Sequence, residues 1–97
     1  MTTLWFSRRA LADVDRFTDF VGNESPEAAK ILEVLAGAVR VLRDHPYIGR
    51  TVESGLRELV ISRGRTGYIA LYEFDPARDD IVIHKLRHQR EAGYSDD

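Results

Sequence analysis

The sequence predicts an α+β domain in which a hairpin of two helices packs on a small antiparallel β-sheet. Apolar residues recur with helical spacing between residues 10 and 21 and again between residues 28 and 42. Three apolar runs follow between residues 56 and 88, separated by turn residues. Because each helix has one apolar stripe and the sheet needs a cover, we expect the helical hairpin to lie across the sheet. With 97 residues, the chain is predicted to form a single domain, residues 1–97.

The N-terminal third is predicted to form a short strand, Thr2–Phe6, and an amphipathic helix. Ser7 offers an N-cap, and Gly22-Asn23 provides a stop. The predicted apolar stripe of this helix is Ala10, Leu11, Val14, Phe17, Phe20 and Val21, and the predicted polar face is Asp13, Asp15, Arg16 and Asp19.

The second helix has the signals expected at both of its ends. Ser25 is a suitable N-cap, Pro26 suits the first helical position, and Glu27 suits the positive first turn. His45-Pro46 is expected to end the helix. The apolar stripe consists of Ala28, Ile31, Leu32, Leu35, Val39 and Leu42. The segment from residue 47 to residue 55 is predicted to be a loop.

Three strands joined by hairpins are predicted for the C-terminal half. Two glycines allow the first turn, and Asp75-Pro76 initiates the second. Strict alternation along the last strand would place Ile81, Ile83, Lys85 and Arg87 on one face and Val82, His84, Leu86 and His88 on the other. Because the second half of this strand gains cationic residues, we expect it to emerge toward solvent and to carry the functional site.

Composition restricts the classes of function. The chain has no cysteine, which fits a reducing compartment, and no segment long enough to span a membrane, so a cytoplasmic protein is expected. The formal charge is −2, whereas a general nucleic-acid binder would show a basic excess. The cations are twelve arginines and two lysines, and arginine suits forked contacts to carboxylate or phosphate.

A constellation of basic and aromatic residues is the main candidate site. Its members are Arg57, Arg63, Arg65, Lys85, Arg87, His88, Arg90 and Tyr94. If the strands pair as the turns suggest, these residues can converge at one end or on one face of the sheet, where they could hold phosphates, with His or Tyr exchanging protons. The alternative is a set of solvated charges that protects the sheet edge. We predict no metal site and no cofactor, because His84 and His88 would lie about 13 Å apart on a strand.

The order of several local strings resembles the RelE/ParE superfamily of bacterial type II toxin–antitoxin toxins. These strings are SRRALADVDRF, SPEAAKIL, DHPYIGR, LRELVI, GYIALYEF and VIHKLRHQRE, and the resemblance covers residues 4 to 94. It implies a helical hairpin packed on a small antiparallel sheet, which periodicity predicts independently. It also implies a cognate antitoxin as partner.

The two branches of the superfamily imply different activities. The RelE-like branch implies a ribosome-dependent endoribonuclease acting on mRNA, with Arg65, Arg87, His88 and Tyr94 as catalytic candidates and Arg63 beside them. However, Ile69 stands where many members of that branch have an arginine. The ParE-like branch implies an inhibitor of DNA gyrase, and the HPYIGR turn and the His88-Gln89-Arg90 ending resemble it more closely.

On this resemblance we predict a growth-inhibiting toxin that binds DNA gyrase and is neutralised by its antitoxin. The predicted contact residues for target or antitoxin are Arg57, Arg63, Arg65, Arg87, His88, Arg90 and Tyr94. The alternatives are the endoribonuclease, which would act on the ribosome and mRNA, and an inactive homologue that only binds antitoxin.

Overall fold

The computed structural model describes residues 1–61 and 67–89, which form a five-stranded sheet with two helices on one face. The elements are β1 (Thr3–Phe6), α1 (Arg8–Val21), α2 (Pro26–Asp44), β2 (Arg50–Thr51), a 3₁₀ turn (Glu53–Gly55), β3 (Arg57–Val60), β4 (Tyr68–Asp75) and β5 (Asp80–His88). The strand order is β1-β5-β4-β3-β2. The predicted helical hairpin on a small sheet is confirmed, and the sheet is mixed because β1 runs parallel to β5.

Both helices begin and end at the predicted signals. The Ser7 side chain accepts a hydrogen bond from the Ala10 N–H at 2.9 Å, and Ser25 accepts one from the Ala28 N–H at 3.1 Å. Each bond satisfies a backbone donor that the first turn of a helix leaves free. Gly22 caps α1 with φ of 93°, a conformation that a residue without Cβ adopts without strain. These caps fix the short connection that turns α2 back alongside α1.

The predicted loop from residue 47 to residue 55 contains regular structure that the sequence pattern did not indicate. Arg50–Thr51 pairs with β3 as a two-residue edge strand, and a 3₁₀ turn follows at Glu53–Gly55. Two residues are too few to display an alternation of apolar and polar side chains, so this strand leaves no periodic signal.

The predicted faces of β5 are wrong beyond Ile83 because a β-bulge interrupts the alternation. Tyr72 pairs with Ile83, whereas the preceding residue on β4, Leu71, pairs with Lys85, so His84 is an extra residue. The helix-covered face therefore carries Ile81, Ile83, Leu86 and His88, and Lys85 and Arg87 lie on the opposite face, which we call the outer face.

The core lies between the helices and the central strands. Its fully buried members include Leu42 on α2, Tyr72 on β4 and Ile81 on β5. Among the predicted positions on α1 that differ from the structure, two differ most. Asp13, assigned to the polar face, is 1% exposed, and Phe20, assigned to the apolar stripe, is 90% exposed. Neither described helix combines the length and the hydropathy that crossing a membrane requires.

Candidate functional site

The polar groups of α1 hold the second half of β5, where the predicted site residues begin. β1 ends opposite Ile83, and from that point α1 supplies the partners of β5. The Ser7 hydroxyl donates to the carbonyl oxygen of the bulged residue His84 at 2.7 Å. Asp13 Oδ2 accepts from the Leu86 N–H at 2.8 Å. The burial of Asp13 therefore has a structural cause, since its carboxylate replaces the missing neighbouring strand.

Two arginines of α1 balance the buried carboxylate of Asp13. Arg9 Nε lies 3.2 Å and Arg16 Nη1 lies 2.9 Å from Asp13 Oδ1. With the Leu86 N–H on the other oxygen, both carboxylate oxygens accept charge-assisted or buried hydrogen bonds. This arrangement fixes the direction in which β5 presents Arg87 and His88.

Arg87 and His88 share an end of the sheet but not a face. Arg87 pairs with Ile69 on the outer face, next to Val60 of β3. His88 pairs with Tyr68 on the helix-covered face, where the two rings meet edge to face with centroids 5.2 Å apart. A small substrate group that lies on one side of the sheet therefore cannot contact both side chains.

Arg57 lies apart from that end of the sheet and is engaged with the chain itself. It pairs with Tyr72, three positions along β4 from the partner of Arg87. Its Nη1 donates to the carbonyl oxygens of Tyr47 at 3.2 Å and Gly49 at 2.8 Å. Four other predicted site residues, Arg63, Arg65, Arg90 and Tyr94, lie outside the described residues. Of the described members, Arg57, Arg87 and His88 do not form one contiguous cluster.

The outer face combines apolar residues with cations and one acid–imidazole pair. Lys85 and Arg87 lie on β5, and His84 Nε2 lies 3.0 Å from Glu73 Oε1 on β4. Their apolar neighbours on this face are Trp5, Val60, Ile69, Leu71 and Val82. This composition suits contact with a protein surface, because most of the side chains around the two adjacent cations, Lys85 and Arg87, are apolar.

An apolar groove lies between the two helices. It is lined by Leu11 and Val14 of α1, Phe6 of β1, and Leu32, Leu35, Ala36, Val39 and Arg40 of α2. Leu11 and Leu32 are 53% and 50% exposed, although the sequence pattern assigned both to the core-facing stripes. Each helix carries an apolar stripe wider than the area that it buries, and this excess apolar width is the sequence signal for the groove. An apolar lining of this kind suits the apolar face of an amphipathic helix.

The loop after α2 is held rigidly by Tyr72. The Tyr72 hydroxyl donates to the Pro46 carbonyl at 2.8 Å and accepts from the Gly49 N–H at 2.9 Å. A Cβ on Gly49 would lie 2.7 Å from both Tyr72 Cε1 and the Glu58 carbonyl oxygen, so only glycine fits. Burial raises the pKa of the Tyr72 phenol, while the Gly49 N–H and the Arg57 charge oppose that rise.

The chain matches the model of the ParE toxin of the type II toxin–antitoxin system parDE over residues 4–93. This protein belongs to the ParE toxin family. The chain is also 29% identical over 92 residues to the RelE3 toxin of Caulobacter vibrioides, and the match covers 94% of this chain and 98% of that protein.

Two solved structures share the fold of this ParE-family toxin. The RelBE2 toxin–antitoxin complex from Mycobacterium tuberculosis matches with a TM-score of 0.66 at 21% identity, covering 93% of each chain. The chromosomal ParDE system from P. aeruginosa matches with a TM-score of 0.60 at 22% identity, covering 91% of this chain and 96% of that one. The match to the family model confirms the superfamily resemblance inferred from the sequence, and the protein is a type II toxin–antitoxin toxin of that superfamily.

Proposed function

We propose that this toxin inhibits bacterial growth by binding DNA gyrase and that a cognate antitoxin neutralises it. The observation that carries the proposal is the match to the ParE toxin model over residues 4–93. The solved complex of a toxin with its antitoxin among the structural relatives supports the antitoxin partner.

The geometry of β5 favours a binding protein over a nuclease. RNA cleavage needs an acid and a base within hydrogen-bond reach of one phosphodiester. Arg87 and His88 point to opposite faces of the sheet, and the neighbour of Arg87 on β4 is the aliphatic Ile69. A target-binding surface has no such requirement, so the separation of these two residues does not weaken the gyrase proposal.

Two assays on the purified toxin and the induced strain test the proposal. Induction of the toxin alone is expected to slow growth, and co-expression of the antitoxin gene is expected to restore it. Purified toxin is expected to inhibit supercoiling by purified gyrase, and the antitoxin to reverse that inhibition. Unimpaired supercoiling at a large molar excess of folded toxin would contradict gyrase as the target.

Ribosome-dependent cleavage of mRNA is the second candidate function. The 29% identity to a RelE toxin favours it, as do Lys85 and Arg87, which lie two residues apart on the outer face. Primer extension on cellular messages after induction distinguishes the two functions. Cuts at fixed positions in translated messages require the nuclease, and their absence together with slowed growth supports gyrase.

We propose further that the antitoxin lays an amphipathic helix in the groove between α1 and α2. The apolar lining offers the surface that such a helix must bury, and Arg40 beside it suits an acidic residue of the antitoxin. Leu32→Asp is expected to weaken antitoxin binding at least tenfold, because the exposed half of Leu32 would lose about 0.7–1.5 kcal/mol of burial and a carboxylate in an apolar groove adds a desolvation cost. Phe20→Asp, a change at an exposed apolar residue of α1 outside the groove lining, is the matched control and should bind antitoxin normally.

Isothermal titration of the antitoxin against each variant measures both affinities. Equal affinity of Leu32→Asp and wild-type toxin would show that the groove is not the antitoxin site.

A further inference from the structure

The segment His45–Arg50, which we call the Tyr47 loop, is more tightly held than a connection requires. The Tyr72 hydroxyl bridges two of its backbone groups, and Arg57 binds two of its carbonyl oxygens. Within the loop, the Ile48 N–H donates to the His45 carbonyl at 3.0 Å. Fixing a backbone in this way removes the entropy that a flexible loop would lose on binding a partner.

The side chains that this rigid loop presents are apolar and exposed. Tyr47 is 58% exposed and Ile48 is 51% exposed, and Val41 on the preceding turn of α2 is 38% exposed. An exposed apolar group on a preorganised loop resembles the central residues of a protein interface, in which tyrosine and arginine are enriched. Burial of Tyr47 and Ile48 by a partner would proceed without rearrangement of the loop.

The charge around the loop indicates an acidic partner. Glu58 of β3 pairs with Arg50 at 2.8 Å and neutralises that charge. Arg43 and Arg57, which lie beside the loop, instead donate to backbone carbonyl oxygens. The positive charge of these two arginines favours an acidic surface as the complement of the loop.

The contacts of the Tyr47 ring favour a protein over a nucleic acid as that partner. The Arg57 guanidinium lies over the ring, 5.0 Å from its centroid, and Phe74 meets it at 87° with centroids 5.1 Å apart. A base stacking on the ring face would have to displace the guanidinium. Tyr47 nevertheless stays 58% exposed, which leaves surface for a pocket in a protein to cover.

We propose that the Tyr47 loop is the surface by which this toxin binds its cellular target, and that it engages an acidic protein surface containing an apolar pocket. The inference rests on the proposed function, because it requires a toxin that acts by binding a protein. It assigns target and antitoxin to different parts of the molecule. The loop begins after α2 ends at Asp44, about 18 Å along the helix axis from Leu32 and about 6 Å from Arg40, the groove residue nearest to the loop.

Two substitutions at Ile48 separate the two parts of the proposal, which are the apolar contact and the acidic partner surface. Ile48→Asp and Ile48→Lys both remove the apolar side chain but differ in charge, and the backbone bonds of the loop do not depend on it. The measurement is the intracellular toxin level that halves the growth rate, determined by graded induction and quantitative immunoblotting. Lys30→Glu, an added negative charge on the first turns of α2, is the matched control.

We expect Ile48→Asp to require at least tenfold more toxin than the wild type, Ile48→Lys to require less than Ile48→Asp, and Lys30→Glu to stay within twofold of the wild type. Undiminished antitoxin affinity of both Ile48 variants verifies that they fold. Potency of Ile48→Asp within twofold of the wild type would overturn the inference. An Ile48→Lys variant less potent than Ile48→Asp would also overturn it.

The remaining outcomes distinguish a failure of this inference from a failure of the proposed function. A wild-type toxin that does not slow growth at any level refutes the proposed function, and the inference with it. Site-specific message cleavage by the wild type that Ile48→Asp abolishes would show that the loop binds nucleic acid and would overturn the assignment to a protein.

Discussion

Replacement of Asp13 by alanine is expected to lower the free energy of unfolding by about 3 kcal/mol. The Leu86 N–H would lose its buried acceptor, at a cost of about 1–3 kcal/mol. Arg9 and Arg16 would lose their shared partner, but their side chains are 23% and 44% exposed and regain water, so their share stays near 1 kcal/mol. For a domain of this size, the sum corresponds to a fall in Tm of roughly 12–24 °C.

Urea denaturation of the purified toxin measures this change. Asp13→Asn retains an oxygen that accepts from the Leu86 N–H but loses the charge, so about half of the destabilisation is expected. Asp15→Ala, at an exposed position of the same helix, is the control and should change stability by no more than about 0.5 kcal/mol. The reasoning is refuted if Asp13→Ala costs less than about 1 kcal/mol, or if the asparagine variant is as unstable as the alanine variant.

Two further predictions concern the packing of the Tyr47 loop on Tyr72. Gly49→Ala should destabilise the chain by about 2–3 kcal/mol in the same urea assay, because its Cβ would meet backbone and ring atoms at 2.7 Å. Gly37→Ala, whose Cβ would meet only a flexible arginine tip at 3.9 Å, should instead stabilise by about 0.5–1 kcal/mol, and a matching loss at both glycines would contradict the steric argument. Burial raises the pKa of the Tyr72 phenol above its ordinary 10.0, so the folded state favours the neutral form. The stability that this preference contributes is complete below pH 10 and is lost as the pH rises through the folded pKa. Tyr72→Phe should be less stable at neutral pH, since it lacks the bonds to Pro46 and Gly49, and its urea midpoint should fall less between pH 9 and pH 11. Parallel pH profiles of the two proteins would show that Tyr72 does not titrate in this way.

The antitoxin and target surfaces proposed here have different physical origins. The groove exists because α1 and α2 each carry apolar residues beyond those that the sheet covers, such as Leu11 and Leu32. The Tyr47 loop keeps its conformation because the buried hydroxyl of Tyr72 forms hydrogen bonds with the loop backbone. A toxin that binds its two partners at separate surfaces permits variants that lose one interaction and retain the other.

The helices were predictable because their limits depend on neighbouring residues alone. A serine hydroxyl caps the helix whose first turn it precedes, and Gly22 ends α1 through its own backbone conformation. The faces of β5 were not predictable, because the alternation is broken by a bulge at His84 that depends on pairing with β4. The same interruption separates Arg87 from the apolar face on which strict alternation had placed it.

The candidate site was predictable as a set of residues but not as an arrangement. Their charge and their position on predicted strands identify Arg57, Arg87 and His88 from the sequence. Their separation follows from register and from the local partners of Arg57, which no spacing in the sequence encodes. Helical periodicity places Asp13 on the polar face, because the pattern describes one helix and not the strand end beside it.

The sequence by itself determined the α+β class, the ends of both helices, the three hairpin strands and the membership of a toxin family, since local capping, side-chain period and the order of motifs are properties of the chain. Only the tertiary structure decided that β1 lies parallel beside β5, that Asp13 completes the end of that strand, and that Tyr72 fixes the Tyr47 loop. These features depend on backbone donors and acceptors that need partners wherever strands end, and those partners come from residues up to 77 positions away in the chain.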